Sequence, residues 1–112
     1  MVNFRTMNFL IRKVGRMSKL TEAEQTRDDK ETMGIFSSVV DDLVKMQDEL
    51  RPMLEALENP EERMIITLRY LKGHGYAWIA DNMNVDVRTV FRYLKDARTA
   101  LIERFPDRVE ME

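Results

Sequence analysis

Residues 76–104 constrain the fold most, because they contain signals for two helices of unequal length and for the turn between them. The apolar side chains of the first segment share one helical face: Ile79, Ala80 and Met83. Asn84 follows where the chain must turn, and Asn adopts a left-handed backbone conformation more readily than any residue except Gly. Asp86 is a good N-cap for a second helix. This order predicts a helix-turn-helix, with helices at about 76–83 and 86–104.

The second of these helices has two faces of different chemistry. Its apolar side chains step by four, three and four residues, at Val90, Leu94, Ala97 and Leu101. The opposite face carries polar and basic side chains: Arg88, Arg92 and Lys95, with Thr89 beside them and Arg98 at the edge. Cations at this spacing suit phosphates and guanine edges in a DNA major groove, although a merely solvated helix face would look similar. The small Ala80, the turn and the apolar register agree with one another, and together they favour DNA contact.

The rest of the chain also carries helical patterns, so the expected fold class is all-α with a C-terminal helix-turn-helix. Asn59 and Pro60 mark a helix start, since Asn caps a helix N-terminus and Pro fits its first position; this helix is predicted over about 60–72. A longer amphipathic helix is predicted over about 35–57, with a near-heptad apolar spacing that Pro52 interrupts. The scaffold expected for the helix-turn-helix itself is Ile79, Ala80, Asn84, Val85, Val90 and Leu94.

The N-terminal part of the chain is less regular. Residues 4–17 predict a helical arm with one apolar stripe, whereas residues 18–34 are polar and look like a linker or an exposed helix extension that stops at Gly34. We therefore divide the chain into a basic arm with a polar linker at 1–34, an amphipathic helix at 35–58, a DNA-binding domain at 59–105 and a charged tail at 106–112, which we expect to fray. The apolar seam at residues 39–57 either pairs two chains in a homodimer or completes the core of its own chain.

Charge is distributed unevenly, although the formal net charge is only −2. Residues 1–20 carry five cations and no acid, residues 21–62 carry thirteen acids and four bases, and residues 63–105 carry eight bases and four acids. A near-neutral average therefore hides a basic start and a basic C-terminal domain, which agrees with a nucleic-acid partner. The acidic middle is either an ordinary solvated helix surface or a means of repelling DNA.

Enzyme chemistry finds no support in the sequence. The chain has no Cys, so it offers neither a reactive thiolate nor a cysteine-based metal site. His74 is the single histidine, and neither a carboxylate pair with a reason for shifted pKa values nor a Gly-rich phosphate loop accompanies it. We expect no enzyme activity, no cofactor and no metal. The longest apolar run near the N-terminus, Phe9-Leu10-Ile11, is too short for a signal peptide or a membrane span, so we expect a cytoplasmic protein with no membrane partner.

An ordered set of short motifs runs through the C-terminal half of the chain. In chain order these are Pro60-Glu61-Glu62-Arg63, Leu68-Arg69-Tyr70-Leu71, Gly73, Tyr76, Ile79-Ala80, Val85, Thr89-Val90, Leu94 and Ala97-Arg98-Thr99-Ala100-Leu101. Together they resemble region 4 of the sigma-70 family, most closely that of extracytoplasmic-function sigma factors. The chain is still more similar to small phage- and prophage-encoded regulators that carry a sigma-like C-terminal domain.

The resemblance implies a sequence-specific DNA-binding transcription regulator, phage or prophage encoded, whose partner is double-stranded DNA. Its base edges or nearby phosphates would be reached by Arg88, Arg92 and Lys95. Backbone contacts would come from Thr89 and Arg98, and outer phosphate contacts from Lys72 and Arg69. A stand-alone sigma factor is not expected, because the chain has no room for the promoter-melting region 2 before this domain.

The alternative is a protein-interaction module that docks on RNA polymerase, or on a sigma or regulatory partner, with little DNA contact. In sigma factors the first half of region 4 docks on the polymerase β-flap, so the resemblance implies this role for the surface of helix 60–72. The residues expected to stay exposed there are Arg63, Thr67, Arg69 and Lys72. The acidic middle and the apolar seam also motivate this alternative.

Overall fold

The computed structural model describes the backbone of residues 1–23 and 30–110, and the side chains of residues 1–17 and 34–110. The described residues form five α-helices: α1 (Phe4–Ala23), α2 (Lys30–Met53), α3 (Pro60–Ile66), α4 (Tyr76–Met83) and α5 (Val87–Arg104). A short 3-10 turn (Leu54–Ala56) follows α2, and a π-helical turn (Thr67–Leu71) follows α3. The all-α prediction is confirmed, and α4 and α5 lie where the helix-turn-helix was predicted.

The boundary between α2 and α3 follows the local signals in the sequence. Pro52 lies in the last turn of α2, which then passes into the 3-10 turn, because Pro lacks the backbone N–H that a continuing helix uses. Asn59 caps α3 with its side chain, which accepts a hydrogen bond from the Glu61 N–H at 2.9 Å. Pro60 occupies the first helical position, so the predicted start of this helix is confirmed.

The helix predicted over 60–72 changes its character at Thr67. There the Lys72 N–H donates to the Thr67 carbonyl at 2.9 Å, five residues back instead of four. The consecutive residues Arg69 and Tyr70 in this wider π turn are both buried, as Ile65 and Ile66 are one turn earlier. Gly73 ends the turn with a φ of +76°, a left-handed conformation that a residue with a Cβ adopts at a cost. Arg69 thus points inward on the same side as Ile65, which precedes it by four residues.

The two N-terminal helices are longer than the sequence indicated. α1 continues to Ala23 instead of ending near residue 17, and α2 starts at Lys30, ahead of Gly34. Gly34 is therefore not a helix stop, and a Cβ built on it would meet no atom within 4 Å. The described parts of the predicted linker, residues 18–23 and 30–34, are helical, and Lys, Leu, Glu and Ala are strong helix formers. Residues 24–29 of that linker lie outside the described residues.

The N-terminal segment is part of the core and does not form an arm. Val2, Phe4 and Met7 are fully buried, and the Phe4 ring lies 4.9 Å from the Tyr70 ring, centroid to centroid. Val2 also forms a parallel β-bridge with Val109, through hydrogen bonds of 2.8 Å to the Arg108 carbonyl and from the Glu110 N–H. The expectation that the tail frays is therefore wrong up to residue 110, because Val109 is buried. Residues 111–112 lie outside the described residues.

The apolar seam at residues 39–57 is buried within its own chain. α1 packs on α2, and the seam residues join the same hydrophobic cluster as α1 and α5: Val39, Leu43, Leu50, Met53 and Leu57, with Met46 partly buried beside them. Apolar side chains that complete a core are not available to a second copy without unfolding it. The prediction of a homodimer through residues 39–57 is therefore wrong, and the alternative of intramolecular packing holds.

Candidate nucleic-acid interface

The turn between α4 and α5 has the geometry that the sequence predicted. Asn84 adopts a left-handed conformation, with φ 57° and ψ 46°, and its N–H reaches back to the last turn of α4. The Val85 N–H donates to the Ala80 carbonyl at 3.0 Å, and Val85 itself is half-buried. Ile79 and the small Ala80 are buried, and α4 packs on α5. The two helices therefore cross closely around a fixed turn.

Asp86 fixes the start of α5. Its carboxylate accepts a hydrogen bond from the Thr89 N–H at 2.7 Å. The hydrogen bonds from Thr89, with a smaller contribution from the charges of Arg88 and Arg92, hold the pKa of the Asp86 carboxyl below its usual value of 3.8. The cap is therefore ionised at neutral pH, when it also complements the positive N-terminal end of the helix dipole.

The body of α5 is anchored on one side and free on the other. Its apolar stripe is fully buried: Val90, Leu94, Ala97 and Leu101. Arg88, Arg92 and Lys95 are exposed on the opposite side, within an arc of about 60° around the helix axis. No described carboxylate forms an ion pair with any of them, although the Arg92 guanidinium lies 5.6 Å from the Tyr93 ring centroid. We call these three residues the reading surface.

Two further side chains border the reading surface. Thr89 is half-buried and stands beside it, with its backbone N–H already used by the Asp86 cap. Phe91 is half-exposed and its ring lies 4.7 Å from the Tyr76 ring, so α5 presents an apolar edge as well as cations. Lys72 is exposed at the end of the π turn, as expected of an outer phosphate contact.

Arg69 does not lie at this interface, and its predicted role as a phosphate contact is wrong. It is only 4% exposed. Its Nε donates to Asn8 Oδ1 at 3.0 Å, its Nη1 donates to the His74 carbonyl at 3.0 Å, and its guanidinium lies 4.3 Å from the Tyr76 ring centroid. This placement also corrects the expectation that Arg69 stays exposed for RNA polymerase.

Arg98 is turned away from the reading surface towards α1. Its Nη1 donates to the Tyr70 hydroxyl at 3.1 Å, and the same oxygen accepts from Asn8 Nδ2 at 3.2 Å. Burial raises the pKa of Tyr70 above its ordinary value of 10.0, and the nearby charge of Arg98 limits this rise. The polar cluster of Asn8, Arg69, Tyr70, Tyr76 and Arg98 joins α1 to the helix-turn-helix. Sequence periodicity contains no signal for it, because its members come from four separate segments.

Known proteins give one point of comparison for this arrangement. The family model described as Sigma-70, region 4 matches residues 47–101. Neither a curated protein nor a solved structure matches the chain. Within residues 1–23 and 30–110, no helix has the length and apolar character needed to cross a bilayer. The match starts in α2, ahead of the expected boundary at residue 59, and it includes the turn and the whole reading surface. Residues 47–101 of this chain are thus a sigma-70 region 4 helix-turn-helix domain.

Proposed function

We propose that this protein is a sequence-specific DNA-binding transcription regulator that reads promoter DNA with α5. The observation that carries the proposal is the reading surface: three exposed cations without a described ion-pair partner lie in one narrow arc of the second helix of a helix-turn-helix. A helix of this kind fits a DNA major groove, where Arg and Lys bind guanine edges and phosphates. A region 4 domain also implies DNA binding in transcription.

Individual roles follow from exposure and position. Arg88, Arg92 and Lys95 contact base edges or the phosphates beside them, and Thr89 and Lys72 contact the sugar-phosphate backbone. A homodimer through residues 39–57 is not part of this function, since those side chains pack in the core. The proposal includes a phage or prophage origin and action in the cytoplasm.

Selection of bound duplexes from a random pool, followed by affinity measurements across a salt series, tests this function. We expect enrichment of one short sequence. The affinity should fall as salt rises, with a log–log slope of about −0.9 for each phosphate contacted. A binding constant that is independent of salt, or a pool that shows no enriched sequence, would contradict the proposal.

A second function is favoured by the outer side of α3. The apolar side chain of Met64, in the middle of this helix, is 52% exposed, and the neighbouring Arg63 is exposed as well. By resemblance to sigma factors, this surface docks on RNA polymerase. Met64→Glu should then weaken binding to purified RNA polymerase and leave the affinity for the selected duplex unchanged. Equal polymerase binding by the wild type and Met64→Glu would argue against this docking surface.

A further inference from the structure

An open groove runs between α1 and α5, on the flank of the helix-turn-helix. It has a volume of about 400 Å³ and is lined by Arg5, Asn8, Phe9, Arg12 and Arg98. Four of these residues belong to α1, which lies outside the family domain at residues 47–101. The region 4 domain alone therefore does not account for the groove.

The positive charge of this groove is not neutralised by the part of the chain that the structure describes. Arg5 and Arg12 are exposed, and no described carboxylate pairs with them or with Arg98. Arg98 is held in place by the Tyr70 hydroxyl, so one guanidinium of the groove is already oriented before any ligand arrives. Three guanidinium groups around one cleft favour an anionic ligand with several oxygen acceptors.

The position of the groove relative to the reading surface indicates which anion it meets. Arg98 follows Lys95 by three residues, which places it about 60° around α5 from the reading surface. When a helix lies in a major groove, the two sugar-phosphate strands run along its flanks. The flank that carries Arg98 therefore faces one of these strands, and the groove lies next to it.

We propose that the groove between α1 and α5 binds backbone phosphates of the DNA strand beside the half-site that α5 reads. Arg5, Arg12 and Arg98 contact the phosphates, and Phe9, which is 56% exposed on the rim, packs against a sugar. α1 thus adds a sequence-independent contact to a domain that would otherwise hold its site with one helix. This inference rests on the proposed function, since it requires that α5 binds DNA.

The test uses the full chain and a duplex that carries the selected sequence with additional base pairs on both sides. Arg5→Gln/Arg12→Gln removes two exposed cations of the groove, and Lys45→Gln/Arg51→Gln removes two exposed cations from the sides of α2 as a matched control. Two lost phosphate contacts lower the slope of log affinity against log salt by about 1.8. Between 50 and 200 mM salt, the wild type should therefore lose roughly twelvefold more affinity than the groove variant. The control should behave like the wild type.

Neutral methylphosphonate linkages, placed one at a time outside the half-site, then locate the contact. The wild type and the control should lose affinity at one or two of these linkages on one strand, whereas the groove variant should not respond to them. A groove variant with the slope and the linkage pattern of the wild type would overturn this inference and leave the proposed function standing. If the wild type itself binds no duplex, both fail. Unchanged circular dichroism and melting of the variants show that the fold is intact.

Discussion

α1 and α5 are both amphipathic, basic helices, but different interactions determine the register of α5 and the position of α1. The register of α5 follows from local signals, namely the Asn84 turn, the Asp86 cap and the regular apolar spacing. The position of α1 depends on a distant partner, since Phe4 packs on Tyr70 and Asn8 bonds to Arg69. Local signals thus say where a helix forms, whereas the residues that cover it are decided by tertiary contacts.

This difference has a consequence for the region 4 domain. Tyr70 and Arg69 of the π turn after α3 point into the interior, and α1 contributes Phe4 and Asn8, which contact them. Without α1, a large aromatic ring and a guanidinium that needs acceptors would face solvent. We therefore expect α1 and the helix-turn-helix to unfold together as one cooperative unit.

The largest effect on stability is expected from Phe4→Ala, which truncates the anchor of α1. Phe4 is fully buried against Tyr70, and truncation of a buried Phe costs about 3–5 kcal/mol of unfolding free energy. Urea denaturation followed by circular dichroism measures this loss. Phe9→Ala on the same helix is the control; its side chain is exposed, so a change within about 0.5 kcal/mol is expected. Equal stability of the two variants would show that α1 is an arm after all.

Arg69→Ala and Lys72→Ala distinguish a buried cation from an exposed one within the same turn. Arg69→Ala removes two hydrogen bonds and the packing on Tyr76, which should lower the unfolding free energy by roughly 2–3 kcal/mol. Its salt slope for DNA binding should stay unchanged while the protein is folded. Lys72→Ala should do the reverse: stability is kept, and the slope falls by about 0.9 for one lost phosphate contact. A lowered slope in Arg69→Ala would restore the role that its burial rules out.

Arg92→Ala tests whether an exposed residue of α5 contributes to DNA affinity without contributing to stability. Arg92 is exposed, so its removal should change the unfolding free energy by less than about 0.5 kcal/mol. Affinity for the selected duplex should fall by about 1–3 kcal/mol, with relaxed preference at one base position if the contact is bidentate to guanine. Anisotropy titration against the selected duplex and single-base variants measures both effects. Wild-type affinity would remove Arg92 from the reading surface.

The sequence predicted the fold class, the helix-turn-helix and the cap of α3, because Asn84, Asp86 and Asn59 act on their own neighbours. It did not predict the inward position of Arg69, because Arg side chains are rarely buried, although Arg69 follows the buried Ile65 by four residues. Nor did it decide whether the seam at residues 39–57 pairs two chains or packs within its own chain, because both arrangements use the same apolar spacing.

The smallest effect is expected from Tyr70→Phe, which removes only the hydroxyl that joins α1 to α5. Asn8 and Arg98 lose their shared acceptor, but both line the open groove and can bind water instead, so the cost near pH 7 should be about 1 kcal/mol. The raised pKa of Tyr70 adds a dependence on pH. The stabilisation from this raised pKa is complete below 10.0, the pKa of Tyr70 in the unfolded chain. It is lost as the pH rises towards the higher pKa of the folded protein, because the unfolded chain ionises first.

Denaturation of Tyr70→Phe and the wild type from pH 7 to pH 11 measures this dependence. The wild type should be the more stable protein up to about pH 10, and its advantage should shrink above that value, since Phe cannot ionise. An advantage that stays constant across this range would mean that the phenol keeps its ordinary pKa. The Tyr70 hydroxyl between α1 and α5 would then be more accessible to water than its burial indicates.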